Sequence, residues 1–357
     1  MSGPLHPGAI RISVQGDGQG RVADVCLQSS RPAGATRLFL GRPAQGVPTL
    51  AGSLFSLCGL AHGAAARLAL SAAADDPPMG ADRGAGVAAE RLVETLRATA
   101  LGWPSLSLNM LTIAGPLRDA MTAARALNAG GASFDPARAL ETLEKAVAAF
   151  GLGSDRPAPG SFFDAMLSEA RSERIARAVA PDALVPADDM TVIHALRAGG
   201  ARFAAAPVLS DRVVETGPFA RHWREARDED SGLAARLAAR FADIREALAM
   251  LRAAVRGTDA GLCSAGRTGE REGYGAVETA RGRLYHWARL DKDGRVLDYE
   301  MLAPTEWNFH PEGPFVAALK GVDISARDMA LRRVGRLAAL FDPCVAFEVE
   351  LREAALA

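Results

Sequence analysis

One long apolar period limits what this chain can fold into. Between residues 231 and 255, apolar side chains recur at steps of three and four: Leu233, Leu237, Phe241, Ile244, Leu248, Leu251 and Val255. These steps place the side chains on one face, which predicts a long helix facing a core. A coiled-coil partner helix is the alternative, but the flanking positions show no clear charge pairing.

The segments around this period predict a mainly helical chain with β structure near both ends. Periodicity and Pro or Gly boundaries predict further helices at about 53–73, 86–101, 136–150, 162–179 and 326–340. Alternating apolar residues around glycine turns predict one hairpin over 9–28 and another over about 284–302. The Gly/Pro-rich stretches 151–160 and 257–275 have the composition of linkers, and 304–314 that of a loop. We predict a single domain over 1–357, a mainly α (α+β) helical bundle with short hairpins near both ends.

Composition excludes several classes of function. The 357 residues are 49% hydrophobic, enough for a sizeable core without disulfides. With 41 basic and 42 acidic side chains, bulk charge predicts neither a nucleic-acid nor a membrane-surface partner. Four widely spaced cysteines fit a reducing compartment. Because neither a signal peptide nor a membrane-spanning run is visible, we expect a cytoplasmic protein.

Cys58 and His62 form the first candidate site. They stand four residues apart in a predicted helix and would share one face. A thiol beside an imidazole can bind a metal, or the imidazole can orient and acidify the thiol. The pair also fits a buried cysteine beside a surface histidine.

Cys344 is the second candidate. It follows Asp342 and Pro343, a pair that ends one helix and allows another to begin. At such a start, helix N–H groups would lower the thiol pKa, although a small residue packed at a helix junction fits equally well. Cys26 lies in strand-like sequence and is read as core, and Cys263 is assigned no role.

Six short segments in one order resemble the large subunit of nickel–iron hydrogenases: 6–12, 53–62, 215–221, 278–282, 304–308 (preceded by Trp287) and 342–344. In that resemblance, Cys58 and His62 match the second cysteine and the histidine of Arg-x-Cys-Gly-x-Cys-x-x-x-His. Arg281 matches the arginine of Glu-Ala-Pro-Arg-Gly, and Thr305 the hydroxyl residue of Pro-Ser/Thr-Thr-Trp-Asn. Cys344 matches the first cysteine of Asp-Pro-Cys-x-x-Cys-x-x-His.

The departures from that pattern fall on the nickel site. Phe55 replaces the first cysteine of the N-terminal pair, and Phe347 replaces the last cysteine. Glu350 stands in place of the C-terminal histidine, and Pro7 in place of a proton-shuttling glutamate. Phenylalanine has no lone pair for a metal, and the remaining two thiolates cannot form the family's four-sulfur nickel site. Without the glutamate, a proton acceptor near the metal is also lost.

The residues that contact the iron ligands in the family are retained. There, iron carries cyanide and carbon monoxide, and the matching arginine and hydroxyl contact the cyanides; Arg281 and Thr305 are both present here. A guanidinium and a hydroxyl are suitable donors to cyanide nitrogens. An ordinary solvated surface arginine is the alternative reading of Arg281.

This combination resembles hydrogenase accessory proteins of the HupK/HoxV type. The resemblance implies a non-catalytic scaffold that transiently holds the iron–dicyano–carbonyl unit, without nickel. Cys58 and Cys344 would bind iron, His62 would orient or hydrogen-bond a thiolate, and Arg281 and Thr305 would hold the cyanides. Maturation factors would deliver the unit, and the hydrogenase large subunit would receive it. A degenerate iron-only redox enzyme and a metal-free chaperone or decoy are the alternatives.

Overall fold

The computed structural model describes residues 8–32, 34–55, 57–76, 84–103, 109–129, 134–173, 175–258 and 261–352. His6 and Pro7 lie outside the described residues. The elements are β1 (Ala9–Gly16), β2 (Val22–Ser29), α1 (Val47–Leu54), α2 (Gly59–Ala74), α3 (Gly84–Leu101), α4 (Leu111–Ala129), α5 (Pro136–Ala149), α6 (Phe162–Ser172), α7 (Asp189–Ala205), α8 (Pro218–Arg221), α9 (Trp223–Ala226), α10 (Gly232–Val255), β3 (Cys263–Gly269), β4 (Glu272–Thr279), β5 (Gly282–Leu290), β6 (Val296–Leu302), α11 (Pro304–Asn308), α12 (Pro314–Leu319), α13 (Arg327–Phe341) and β7 (Ala346–Arg352). Helices make up most of the described residues, with strands near both ends and four more between α10 and α11.

The first sheet joins the two ends of the chain. β1 and β2 form the predicted antiparallel hairpin, and β7 pairs parallel to β1 with Ala9 opposite Ala346. Ile10, Ile12 and Val14 turn into the core from alternate positions of β1. The start of β1 and the start of β7 are therefore brought side by side.

The second sheet is an antiparallel meander in the order β3-β4-β5-β6. The predicted hairpin over 284–302 is confirmed as β5 and β6. The linker prediction for 257–275 is wrong, because most of that segment forms β3 and the start of β4. Two of its glycines, Gly273 and Gly275, are required by packing, as the contact with α2 shows.

Helix α2 lies directly on β4. A Cβ atom on Gly273 would stand 2.5 Å from the carbonyl oxygen of Ala69, and one on Gly275 would stand 2.4 Å from that of Ala65. Helix and strand can approach this closely only because both present small residues. The alanine content of α2 therefore follows from this contact.

Helix α10 is the core helix that its apolar period predicts. Leu233, Leu237, Phe241 and Ile244 are almost fully buried, and the helix packs against α3, α5, α6, α8 and α9. The α+β class with a predominance of helix is confirmed.

Several predicted boundaries differ from the structure. The predicted helix 53–73 is broken between α1 and α2, and the one over 162–179 ends at Ser172. The 304–314 loop contains α11, and α4 and α7 were not predicted. Cys26 is exposed, because its neighbour Val25 takes the core-facing position on β2. Within the described ranges, no helix is long and apolar enough to cross a bilayer.

Candidate functional site

Cys58 stands at the N-terminal boundary of α2, one position before the helix begins. Phe55 follows α1 with non-helical torsions (φ −118°, ψ 70°), and the Cys58 N–H donates to its carbonyl oxygen at 3.1 Å. Cys58 has non-helical torsions (φ −144°, ψ 41°) and is half-buried. The break between α1 and α2 places the thiol at a helix start. The sequence instead predicts one continuous helix through this position.

A carboxylate from α3 caps this helix start. Glu90 accepts hydrogen bonds from the N–H groups of Leu60 (2.8 Å) and Ala61 (2.9 Å). The side chain of a capping residue normally makes these bonds, so Glu90 takes over that role beside Cys58. Burial raises the pKa of Glu90 to about 7, although the two amide donors act in the opposite direction. Glu90 is not predictable from the sequence, because a cap supplied by another helix leaves no local signal.

His62 is buried within a chain of aromatic side chains. It is 3% exposed, and its Nδ1 lies 2.9 Å from Nε2 of His286, whose Nδ1 lies 2.6 Å from the Tyr299 hydroxyl. The Phe55 ring stacks on the His62 ring at 4.0 Å between centroids. Burial holds the pKa of His62 well below its ordinary value, so the ring is neutral.

These contacts decide what His62 can still do. The surface-histidine alternative is wrong, and Nδ1 is engaged with His286. Nε2 is therefore the ring nitrogen left to serve a ligand or a thiolate. A metal that used Nδ1 would have to break the contact with His286.

Cys344 follows α13, but no helix begins after it. Asp342 ends α13 in the left-handed region (φ 50°), and β7 starts two residues beyond Cys344. The predicted helix start is wrong, because pairing with β1 draws residues 346–352 into the sheet. The Cys344 N–H instead donates to Oγ1 of Thr305 at 3.2 Å. Thr305 is 2% exposed, and the Cys344 side chain is half-buried.

Arg281 is buried (4% exposed) between two carboxylates, so the surface-arginine alternative is wrong. Its Nη2 lies 3.4 Å from both Glu94 Oε2 and Asp342 Oδ1. Its Nε lies 3.2 Å from Asp342 Oδ2 without hydrogen-bond alignment. Arg281 Nε and Asp342 Oδ2 are both buried, and neither has a hydrogen-bond partner within the described residues.

The charges of this region link Arg281 to both cysteines. Burial lowers the pKa of Arg281, but Asp342, Cys58, Glu94 and Cys344 together outweigh it and raise the pKa. Burial raises the pKa of the Cys58 thiol, although the positive charge of Arg281 acts to lower it. The two cysteines and Arg281 therefore share one electrostatic environment, and Cys58 is a neutral thiol until a ligand replaces its proton.

Two tight glycine contacts fix the turn that carries Arg281. Gly282 has φ 129°, and a Cβ there would stand 2.4 Å from Thr216 Oγ1; one on Gly217 would stand 2.6 Å from the Arg281 carbonyl oxygen. The Asn308 side chain accepts from the Thr216 N–H and donates to its carbonyl oxygen, each at 3.0 Å. Three of the short motif segments thus meet at this turn.

Arg221 ties the same turn to the core helix. It donates to Asp243 on α10 at 2.8 Å, to Glu278 at 2.8 Å and to the Thr279 carbonyl oxygen at 3.2 Å. Asp243 is completely buried and also binds Arg91 at 2.6 Å. Arg281 is therefore presented by a rigid, ion-paired support.

Arg31 is a second arginine of this charged region, and the sequence does not predict it. Arg31, in the loop after β2, forms an ion pair with Glu306. Burial lowers the pKa of Arg31, but Cys344, Glu306 and Cys58 outweigh it and raise the pKa. An arginine in a Ser/Pro-rich loop gives no sequence signal for such a position.

Two of the replaced family positions lie in β7. Phe347 pairs with Ile10 and packs against the main core, and Glu350 is exposed and accepts from the Ser13 hydroxyl at 3.3 Å. Both residues therefore serve the sheet. Pro7 cannot be placed, because it lies outside the described residues.

Comparison with known folds defines the structural class. A family model described as nickel-dependent hydrogenase matches residues 232–350. Among solved structures, a [NiFeSe]-hydrogenase of Dm. baculatum superposes with a TM-score of 0.65 at 16% identity, covering 93% of this chain and 96% of that chain. A [NiFeSe] hydrogenase variant from Desulfovibrio vulgaris Hildenborough gives 0.64 at 16% identity, covering 95% and 99%. The chain has a nickel-dependent hydrogenase fold.

Sequence relatives define the family. The hydrogenase expression/formation protein HupK of Rhizobium leguminosarum bv. viciae is 44% identical over 348 residues, covering 93% of each chain. HupK of Bradyrhizobium diazoefficiens is 37% identical, covering 93% of this chain and 94% of the relative. HoxV of Cupriavidus necator is 30% identical, covering 92% and 93%. The chain belongs to this HupK/HoxV family of hydrogenase expression/formation proteins.

Proposed function

We propose that this protein is a non-catalytic scaffold in hydrogenase maturation, which transiently holds the iron–dicyano–carbonyl unit as cargo. The observation that carries the proposal is Arg281, a buried guanidinium whose Nε makes no hydrogen bond within the described residues and which shares the electrostatic environment of two half-buried cysteines. An anionic cyanide is a suitable acceptor for such a donor. Maturation factors would supply the unit, and the hydrogenase large subunit would receive it.

Each site residue has a distinct part in holding the cargo. The sulfurs of Cys58 and Cys344 would bind iron, and the Cys58 proton must leave as the bond forms. Arg281 would donate to one cyanide. Thr305 already accepts the Cys344 N–H, so its own hydroxyl hydrogen is available for the other cyanide. His62 would direct Nε2 toward a thiolate.

The residue set favours holding and release over hydrogen chemistry. Phe55 and Phe347 stand where the hydrogenase pattern has cysteines, and the Phe55 ring packs on His62. Two thiolates make fewer bonds to the cargo than a complete metal site would, which eases transfer to a recipient with more ligands. No nickel is expected here, and hydrogen-dependent dye reduction by the pure protein would support the enzymatic alternative instead.

A complementation experiment separates the scaffold from a metal-free chaperone. In a strain lacking this gene, we expect the unsubstituted chain to restore hydrogenase maturation. Cys58→Ala and Cys344→Ala should each reduce maturation strongly, while Cys26→Ala, at an exposed cysteine, should not. Full restoration by both site variants would support a chaperone or decoy and contradict the scaffold.

A further inference from the structure

Arg31 is fixed beside the start of β1, the strand that lies between β2 and β7. Gly8 has φ 81°, and a Cβ there would stand only 2.7 Å from the backbone nitrogen and Cα of Arg31. Gly8 immediately precedes Ala9, which pairs with Ala346, two residues after Cys344. The backbone of Arg31 therefore packs against the start of β1, whose other edge pairs with β7.

Glu306 holds the Arg31 guanidinium from the opposite side. The two side chains form an ion pair and are 16% and 24% exposed, respectively. Glu306 directly follows Thr305, whose Oγ1 accepts the Cys344 N–H. The Glu306 end of the ion pair is thus anchored next to a residue that contacts Cys344.

Arg31 shares the electrostatic environment of the two cysteines. Cys344 and Cys58 each act on Arg31 electrostatically, and Arg31 in turn contributes to the lowered pKa of His62. Arg281, in contrast, is shared between Glu94 and Asp342. Glu306 is partly exposed to water, and its carboxylate balances the charge of Arg31.

We propose that Arg31 is the counter-cation of the two cysteine thiolates and their anionic cargo, and that Glu306 holds it in place while the site is empty. This inference rests on the proposed function. Ferrous iron bearing two cyanides and two thiolates carries a net negative charge, and a half-buried arginine stabilises such a charge more than a solvated one does. Arg31 is thus a specificity-determining residue that favours an anionic iron unit over a bare cation.

The test uses the full chain without cargo and compares two alkylating reagents, anionic iodoacetate and neutral iodoacetamide. Their rate ratio at one cysteine reports local charge and cancels differences in the thiolate fraction. Peptide mass spectrometry gives the ratio separately at Cys344, Cys58 and, as an internal control, exposed Cys263. Arg31→Gln should lower the ratio at Cys344 by about threefold, a typical effect of one nearby charge. Arg31→Lys should largely preserve it.

Glu306→Gln supplies a prediction of opposite sign. Removing the negative charge should raise the iodoacetate to iodoacetamide ratio at Cys344 by about threefold, whereas general loosening of the site would change both rates together. Arg11→Gln, at an exposed arginine of β1, is the matched control and should change nothing.

Unchanged ratios in both Arg31→Gln and Glu306→Gln would overturn the role of Arg31. If Arg31→Gln does not fold, a ratio that fails to rise in Glu306→Gln overturns it alone. The proposed function fails separately, when the unsubstituted protein isolated with iron shows no cyanide or carbonyl infrared bands. In that case the assignment of Arg31 to an anionic cargo falls as well.

Discussion

The cluster around Asp243 and the site around Arg281 are both buried and rich in ion pairs, yet their contact distances differ. Asp243 binds Arg91 at 2.6 Å and Arg221 at 2.8 Å. Arg281 lies 3.2–3.4 Å from its carboxylate partners, and its Nε has no hydrogen bond within the described residues. Short, aligned contacts fix the first region, whereas the second retains donor capacity for a ligand. The first is the support and the second is the binding site.

The largest effect is expected where the support is broken. Asp243→Ala leaves the guanidiniums of Arg91 and Arg221 without their shared, fully buried partner. We expect a loss of about 3–5 kcal/mol in the free energy of unfolding, measured by urea denaturation. Asp119→Ala, at an exposed ion pair on α4, is the control and should cost no more than about 0.5 kcal/mol. Equal costs would remove the distinction between support and surface.

Two neighbouring arginines sharpen the comparison. Arg283 binds Asp189 through two nitrogens, while Arg281 makes only the longer contacts. We expect Arg283→Gln to cost about 3 kcal/mol of stability. Arg281→Gln should cost about 1 kcal/mol, because Asp342 stays near Arg240 and Glu94 stays bound to Arg97. Urea denaturation of both variants gives the two values.

In the infrared spectrum of the protein carrying the iron unit, Arg281→Gln should have the larger effect of the two variants. Arg281→Gln should shift or remove the cyanide bands, and Arg283→Gln should leave them unchanged in the fraction that folds. A more severe stability loss in Arg281→Gln than in Arg283→Gln would contradict the division into support and site.

The support region should also show a pH dependence. Burial lowers the pKa of His222, but Asp243 at 3.3 Å and Glu246 at 3.5 Å outweigh it and raise the pKa. A histidine whose pKa is raised on folding stabilises the protein below its unfolded pKa of about 6.5, and loses that effect as pH rises through the folded value. His222→Gln should therefore cost about 2 kcal/mol near pH 6 and clearly less near pH 9, by urea denaturation at each pH. A cost that grows with pH would contradict the assignment.

The smallest effect on stability is expected at the two thiols. Cys58→Ser and Cys344→Ser replace half-buried sulfurs that form no disulfide and should change the free energy of unfolding by less than about 1 kcal/mol. Thermal unfolding monitored by circular dichroism measures this. A large loss in either variant would indicate that the sulfurs serve packing instead of ligand binding.

How far the sequence predicts the molecule depends on whether a feature is local. The long apolar period of α10 and the alternation in β1 were sufficient to predict these two elements, because burial of one face leaves a repeated pattern in the sequence. The start of β4 was missed, because Gly273 and Gly275 are selected by contact with α2 and resemble linker glycines. The helix expected after Pro343 is a strand, because pairing with distant β1 overrides the local signal. The single-domain assignment over 1–357 stays a prediction.

The site divides in the same way. Cys58, Cys344, Arg281 and Thr305 were identified from motifs and lie in one region, although their roles stay predictions. Glu90, Arg31 and Glu306 were missed, since each acts on residues distant in sequence. His62 was paired with Cys58 from helix spacing, yet its observed ring partners are His286 and Phe55. Spacing along a helix does not show which side chains fill the other side of a ring.

The most direct test of the scaffold is infrared spectroscopy of the protein purified anaerobically from cells that produce the maturation machinery. We predict cyanide and carbonyl stretching bands in the unsubstituted protein that are lost in Cys58→Ala and persist in Cys26→Ala. Iron-replete preparations without these bands would contradict the central claim, and full-intensity bands in Cys58→Ala would remove Cys58 from the site.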